Sequence, residues 1–323
     1  MKKLVCLLLL VSLLFGCSAK PNGDANVKKV GILQLLTHDA LDKSREGFMQ
    51  ALADGGYEEG NNLVIEYQNP EADSANLSAM ADSLIAKDLD VILAIATTPA
   101  QQLQNVNDHT PILATAVTDF VGVGLAKSNE EPDGMIAGVS DGCPMDAQLD
   151  LLLELNPELK SLGIIYTSSE SNSEIQAKQM EELAKAKGLS VAVKTVSDKT
   201  MIDDTLQAFK GTIEALYVPT DNNIASAMGS VDIFAKENKL PVLCGESNAV
   251  ANGGLISLGV DYFKIGYQTG NMAVALLNGE KTIDDLTIEM QEDITVYYNS
   301  KTAEAIGVTI PDSIIERGID ITK

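Results

Sequence analysis

Tryptophan is absent from the 323-residue sequence, aromatic residues make up only 4% of it, and basic residues are few. Lys and Arg together number 23 against 46 Asp and Glu, which gives a formal net charge of -23 at pH 7. Proteins that bind nucleic acid through its phosphates need basic surface, because their affinity depends on neutralising the backbone charge. The shortage of basic residues therefore excludes nucleic acid as an expected partner.

Cysteine is also scarce, with four residues in the whole chain. Cys6 and Cys17 fall at the N-terminus, which leaves Cys143 and Cys244 for the folded part. Two residues make no disulfide framework, although the sequence leaves open whether these two pair. There is no CxxC motif and no Cys/His cluster, so neither a metal site nor a cofactor is expected.

Motifs of catalysis are missing too. The sequence has no GxSxG, no GxxxxGK[ST], no HExxH and no GxGxxG, and Gly122-Val123-Gly124 lacks the third glycine of the last pattern. His38 has no Asp and Ser at a spacing that suggests a triad. We therefore expect no enzyme and no catalytic residue, although a pair of carboxylates would leave no motif.

The N-terminus carries the only long apolar run, Leu4 to Phe15. Its twelve residues are too few to span a bilayer, which needs roughly 20. Lys2 and Lys3 precede the run and Gly16-Cys17 ends it, as in an export signal that resembles the bacterial lipobox. We predict a signal peptide over residues 1–16, lipidation of Cys17 and a tether over 17–27. The protein would then be lipid-anchored on the extracytoplasmic face of the cell membrane. An ordinary secretory signal with an incidental Cys is the alternative.

From Val27 onward, short apolar runs rich in β-formers alternate with amphipathic stretches of helical period. The runs cover 30–36, 63–67, 91–95, 112–117, 162–166, 191–196, 215–218 and 241–244, and helices are predicted over 41–53, 146–155, 173–187 and 262–277. Such alternation is typical of βαβ units with parallel sheet.

The alternating pattern occurs twice, which predicts an α/β fold of two doubly wound parallel-sheet lobes joined by a three-strand hinge. We place lobe 1 at residues 28–140 plus 259–292, and lobe 2 at 141–258 plus 293–323. In such sheets ligands bind beyond the carboxyl ends of the strands. The residues that follow each strand are therefore the candidates for a site between the lobes.

One such strand end is Ile95-Ala96-Thr97-Thr98-Pro99, where Thr98 is predicted as an N-cap and Pro99 in the first helical turn. A helix N-terminus offers backbone N–H groups and a positive dipole to an anion, here beside two threonine hydroxyls. The arrangement would suit a carboxylate. Capping alone is an equally good reading of the motif.

Acidic and polar side chains follow other strands. Asp221 precedes a predicted helix and would either pair with an ammonium group or cap that helix, and from the residues alone capping is favoured. Asp119 and Glu246 stand at analogous strand ends with the same ambiguity. Further candidates are the polar loop that includes Ser169 and Asn172, and Gln34 after the first strand.

The segment Gly31 to Asp42, continued by Arg45-Glu46-Gly47-Phe48, resembles the ABC-transporter substrate-binding family, whose members include tryptophan- and tyrosine-binding lipoproteins. Supporting motifs follow in the same order along residues 28–320. They are Thr98-Pro99-Ala100, Asp119 with Gly124-Leu125, Glu170 with Asn172-Ser173, Thr220-Asp221-Asn222, and Tyr262 with Ile265-Gly266.

This resemblance implies a periplasmic binding protein type I-like fold that closes over a small molecule. Carried over to matching positions, Thr97 and Thr98 would hold a ligand carboxylate and Asp221 its amino group. The weaker carry-overs that line the cleft are Gln34, Asp119, Ser169, Asn172 and Glu246. The favoured ligand is an aromatic amino acid, although the scarcity of aromatic side chains leaves an aliphatic or other small solute open.

The partners that the resemblance implies are the permease subunits of an ABC importer and, through the lipid anchor, the membrane. The same chain would also suit a surface receptor or sensor in which closure signals to another protein. A cell-surface adhesin is a third possibility that no feature of the sequence requires.

Overall fold

The structure is a computed structural model that describes residues 27–132, 134–291 and 293–322. The predicted signal peptide, Cys17 and the tether up to residue 26 lie outside the described residues. Within that part of the chain, no helix has the length and hydropathy needed to cross a membrane.

Strands and helices alternate along the chain. The strands are β1 Lys28–Gln34, β2 Leu63–Gln68, β3 Val91–Ile95, β4 Ile112–Val117, β5 Ile136–Ser140, β6 Ser161–Thr167, β7 Ser190–Val196, β8 Ala215–Val218, β9 Val242–Cys244, β10 Ile256–Gly259, β11 Ile288–Met290, β12 Thr295–Tyr298 and β13 Gly318–Asp320. The helices are α1 Asp39–Asp54, α2 Ser74–Ile85, α3 Thr97–Val106, α4 Met145–Leu155, α5 Ser171–Ala186, α6 Ile202–Gln207, α7 Asn222–Ala225, α8 Met228–Asn238, α9 Ser247–Ala251, α10 Tyr262–Leu277, α11 Ser300–Ile306 and α12 Asp312–Arg317.

The strands form two sheets, and each sheet is the centre of one lobe. Lobe 1 has the order β11-β5-β4-β3-β1-β2, and lobe 2 has the order β13-β12-β10-β9-β8-β6-β7. All neighbouring strands run parallel except β10 and β12, which are antiparallel. The predicted α/β fold with two parallel-sheet lobes is confirmed.

The central strands are buried because helices cover both faces of each sheet. Every residue of β3 and β4 is buried, which explains why these segments are continuous apolar runs. Each sheet has a hydrophobic cluster on either side, so the two lobes have separate cores.

The chain passes between the lobes three times: from β5 to α4, from β10 to α10, and from β11 to β12. The second passage returns α10 to lobe 1, where it packs on α1. Glycines allow the two helices to touch, because a Cβ atom at Gly47 would lie 2.0 Å from the Phe263 carbonyl oxygen. A Cβ atom at Gly266 would lie 1.9 Å from the Ser44 carbonyl oxygen.

Candidate functional site

The two lobes face each other at the carboxyl ends of their parallel strands, and side chains join them across the junction. The hydrogen bonds link His38 Nε2 with Asn222 Oδ1 (3.1 Å), Asn252 Nδ2 with Asp39 Oδ2 (2.9 Å), and Ser171 Oγ with Gln101 Oε1 (3.3 Å). The structure is therefore the closed arrangement of the lobes.

Two of the cavities at this junction are lined by predicted site residues. The first, of about 380 Å³, is lined by Thr118, Asp119 and Ser140 from lobe 1 and by Asn172 and Gln176 from lobe 2. The second, of about 270 Å³, has His38 and Asp39 on one side and Ser226, Glu246 and Asn248 on the other. Both lobes contribute polar side chains to each cavity.

Helix α3 begins directly where β3 ends. Its N-cap is Ala96, with φ 87° and ψ 163°, and Thr97 is its first residue. The prediction that Thr98 is the N-cap is therefore wrong. The Ala96 amide still donates to the Thr115 carbonyl in the sheet, so no residue separates strand from helix. Thr97 is buried and its hydroxyl has no hydrogen-bond partner, whereas Thr98 is half-buried.

Asp221 is 1% exposed and caps α7, as the capping alternative predicted. Its Oδ1 accepts from the Ile224 amide (3.0 Å) and from the Thr167 hydroxyl (2.8 Å), and its Oδ2 accepts from the Thr167 amide (2.5 Å). Burial raises the pKa of this carboxyl group, and these donors oppose the rise. In the closed structure both oxygens of Asp221 are occupied within lobe 2.

Glu170, which the sequence placed only in a supporting motif, lies buried beside Asp221. Its two oxygens accept four hydrogen bonds, two from the backbone amides and two from the side chains of Asn222 and Asn223, at 2.6–3.0 Å. Burial and the nearby charge of Asp221 raise the pKa of Glu170. This carboxyl group holds the start of α7 in place.

Glu246 caps α9, and its Oε2 accepts from the Asn248 amide at 2.9 Å. It is buried and lines the second cavity, opposite His38. Burial raises the pKa of Glu246 to about 8, and the capped amides oppose that rise. Burial lowers the pKa of His38.

Of the remaining predicted residues, some line a cavity at the junction and others do not. Asp119 is half-buried and accepts from the Gly122 amide, and Asn172 is buried with an unpaired Oδ1; both line the first cavity. Gln34 is fully buried and bonded within lobe 1 to Asp42 and Arg45. Ser169 is exposed and lines neither cavity.

Asp141 is a buried residue of the junction that the sequence analysis missed. It directly follows β5 at the first passage between the lobes, is 3% exposed, and accepts a hydrogen bond from the Tyr262 hydroxyl at 2.7 Å. Burial raises its pKa, and Tyr262 and the nearby Thr118 side chain oppose that rise. The rule that predicted Asp119 and Glu246, an acid just after a strand, would also have found Asp141.

Cys143 and Cys244 are both free thiols, so they do not pair. Cys143 lines the first cavity, and burial raises its pKa to about 12. Among the described residues, no group of three or more His, Cys, Asp or Glu side chains is placed to hold a metal ion.

Comparison with known proteins agrees with this two-lobed site. Residues 29–321 match the family described as ABC transporter substrate binding protein. The chain is 37% identical over 306 residues to a tyrosine-binding protein of Clostridioides difficile (strain R20291), covering 92% of this chain and 88% of that protein.

Two solved structures superpose on this chain to different degrees. An ABC domain from Streptococcus pneumoniae in complex with L-Trp superposes with a TM-score of 0.86 at 32% identity, covering 91% of this chain and 99% of that one. A ligand-free, open substrate-binding protein with adhesive properties from Clostridium difficile gives only 0.68 at 37% identity, with the same coverage.

The lower TM-score with the more similar sequence is what a rotation between lobes would produce, because such a rotation leaves the fold of each lobe unchanged. The fold is periplasmic binding protein type I-like, as the resemblance implied. The chain belongs to the ABC transporter substrate-binding protein family.

Proposed function

We propose that this protein captures an aromatic amino acid between its lobes, outside the cell, and delivers it to the permease of an ABC importer. The observation that carries the proposal is a set of buried polar atoms without hydrogen-bond partners at the strand ends of both lobes. They are Thr97 Oγ1, Thr118 Oγ1 and Asp141 Oδ1 in lobe 1, and Asn172 Oδ1 and Thr220 Oγ1 in lobe 2. Buried polar groups are normally paired, since leaving one unpaired costs about 1–3 kcal/mol. A bound polar ligand would supply the missing partners.

The carboxyl groups at the junction favour a ligand with an ammonium group, because burial raises their pKa and a bound cation would stabilise their ionised form. Asp141, Glu170, Asp221 and Glu246 are buried there, and no Lys or Arg among the described residues is buried. Buried charges are stable mainly when they are paired. The α3 N-terminus, with Thr97 and Thr98, would hold the ligand carboxylate through its amides and dipole.

The side chain of the ligand is inferred from the relatives and from the cavity wall. Two relatives that are more than 30% identical have a named ligand that is an aromatic amino acid: the tyrosine-binding protein and the structure in complex with L-Trp. Phe120, Met145 and Ile175 provide apolar wall in the first cavity. Thioether and ring contacts of this kind stabilise an aromatic side chain.

Binding can be measured through the ligand itself. Because the chain has no Trp, the fluorescence of added L-Trp, excited where tyrosine does not absorb, reports only the ligand. We expect saturable binding that L-Tyr or L-Phe displaces and that L-Leu and glucose do not. If aliphatic amino acids or sugars compete and L-Tyr and L-Phe do not, the aromatic assignment is wrong.

We also propose export and lipidation at Cys17, on the basis of the signal pattern at the N-terminus. The test is fractionation of bacteria that express the chain or its Cys17→Ser variant. We expect the original protein in the membrane fraction and the variant in the soluble extracytoplasmic fraction. Equal partition of the two would contradict a lipid anchor at Cys17.

A further inference from the structure

The four buried carboxyl groups at the junction differ in how their oxygens are used. Each carboxylate can accept about four hydrogen bonds. Glu170 accepts four hydrogen bonds from Asn222 and Asn223. Asp221 accepts hydrogen bonds on both oxygens: Oδ1 from the Thr167 hydroxyl and the Ile224 amide, and Oδ2 from the Thr167 amide. These two acids are therefore occupied in holding lobe 2 together.

Asp141 is used differently. Its Oδ2 accepts from the Tyr262 hydroxyl, but its Oδ1 is buried and has no hydrogen-bond partner. The hydroxyl of Thr118 has no other hydrogen-bond partner, and it lies close enough to Asp141 to lower the pKa of that carboxyl group. Of the four junction acids, Asp141 is the one with a buried oxygen that lacks a partner.

The position of Asp141 suits a ligand enclosed by both lobes. Its chain neighbours Ser140 and Gly142 line the first cavity. Glu246, which lines the second cavity, is near enough for the charge of Asp141 to raise its pKa. Asp141 thus lies beside the first cavity, on the segment that crosses from lobe 1 to lobe 2.

We infer that Asp141 binds the ammonium group of the ligand, in place of the Asp221 that the family resemblance implies. The inference rests on the proposed function, since it requires an amino-acid ligand. An ammonium has three N–H donors, and Asp141 Oδ1 and the Thr118 hydroxyl can both accept. A cation at this point would also stabilise the ionised form of Asp141, which burial disfavours.

The experiment compares L-tyrosine with 3-(4-hydroxyphenyl)propionate, which lacks only the amino group. Dissociation constants of both are measured by calorimetry for the original protein and for Asp141→Asn, Asp141→Glu and Asp221→Asn. In Asp141→Asn the affinity for L-tyrosine should fall about 30-fold or more, as expected for loss of a buried charged partner. The affinity for the analogue should change much less.

The ratio of the two affinities separates recognition from folding. A purely structural role of Asp141 would weaken both ligands equally, and this result would overturn the inference. Loss of the preference for L-tyrosine in Asp221→Asn but not in Asp141→Asn would restore Asp221 to the role. Asp141→Glu, which keeps the charge, should retain part of the preference, and the exposed control Asp203→Asn should leave both affinities unchanged.

A crystal structure of the original protein with L-tyrosine tests the inference without any variant. The ligand nitrogen should lie within hydrogen-bond distance of Asp141 Oδ1, about 3 Å, and a nitrogen bound elsewhere would overturn the inference. If the original protein binds no amino acid at all, the proposed function fails and the inference fails with it. If it binds L-tyrosine with its nitrogen away from Asp141, only the inference fails.

Discussion

At the residue scale, Ala96 is the clearest sign of strain near the site. Its φ of 87° and ψ of 163° fall in a region that is essentially reserved for glycine and costs other residues about 1–3 kcal/mol. Its amide donates to Thr115 and its carbonyl accepts from the Ala100 amide, so sheet and helix both hold it. The strain places Thr97 and the start of α3 at the junction.

Replacing Ala96 with glycine should therefore stabilise the protein. Relief of strain is partly offset by the greater entropy of glycine in the unfolded chain, and we expect a net gain of about 1 kcal/mol in the free energy of unfolding. Urea denaturation measures it. Ala100→Gly, inside the same helix, should instead cost about 1 kcal/mol. A loss of stability in Ala96→Gly would show that the backbone there is unstrained.

The raised pKa of Glu246, about 8 because of burial, makes stability depend on pH. The folded protein holds this proton more tightly than the unfolded chain, where glutamate titrates near about 4.3. The contribution of Glu246 to the free energy of unfolding is thus complete below about pH 4.3, and it is lost as the pH rises through about 8. Glu246→Gln should reduce the fall in melting temperature between about pH 5.5 and 8.5 by roughly 2 °C or more.

Differential scanning calorimetry across this pH range checks the prediction. The exposed control Glu59→Gln should keep the pH profile of the original protein. An unchanged profile in Glu246→Gln would mean that Glu246 is ionised in the folded protein at neutral pH.

Single residues were the hardest to assign from sequence. A short acid after a strand and before a helix predicts both a cap and a ligand contact, and for Asp221 the structure confirms the cap. Whether an oxygen is already occupied depends on partners far along the chain, such as Thr167, 54 residues before Asp221. The sequence alone therefore could not distinguish Asp221 from Asp141.

At the scale of elements, α1 and α10 pack so closely that their glycines lie against the backbone of the other helix. Gly266→Ala would force a Cβ atom to 1.9 Å from the Ser44 carbonyl oxygen, so one helix must shift. We expect a loss of about 2 kcal/mol or more in the free energy of unfolding. Gly229→Ala in α8 meets nothing within 4 Å and should be neutral or stabilising. Chemical denaturation of both variants measures these changes. Equal losses of stability in the two variants would contradict the close packing of α1 on α10.

Several element bounds follow directly from sequence. The predicted runs at 91–95, 112–117 and 215–218 and the helix at 262–277 match β3, β4, β8 and α10. The three strands match because a strand buried on both faces must be apolar throughout. Helices α1 and α5 begin two residues earlier than predicted, since each begins with a polar residue, Asp39 or Ser171. The three-residue strands β11 and β13 give no periodic signal.

At the scale of the whole molecule, closure depends on polar contacts between residues distant in sequence. His38 and Asn222 are 184 residues apart, and Asn252 and Asp39 are 213 apart. The sequence predicted two lobes and a cleft between them, because the alternation of strands and helices repeats. It could not predict which side chains meet across the cleft, since that depends on the relative orientation of the lobes.

Removing one of these contacts should shift the lobes toward an open arrangement. In Asn252→Ala the bond to Asp39 is lost, and a net contribution of about 0.5–1.5 kcal/mol predicts about 2- to 10-fold weaker ligand binding. Small-angle X-ray scattering should show a larger radius of gyration for the unliganded variant. The exposed control Asn76→Ala should change neither quantity, and an unaltered affinity in Asn252→Ala would mean that this contact does not contribute to closure.

The return of α10 to lobe 1 also affects the order in which the protein can fold. Tyr262, Ile265 and Met272 share one hydrophobic cluster with Leu41 and Phe48 of α1, and Tyr267 bonds Asp54 across 213 residues. The lobe that is synthesised first therefore keeps the buried face of α1 uncovered until nearly the last fifth of the chain is available. Contacts this distant form slowly, so a chain that ends before Tyr262 would hold an incomplete first lobe beside a second lobe whose central strands, β6 to β10, are already present.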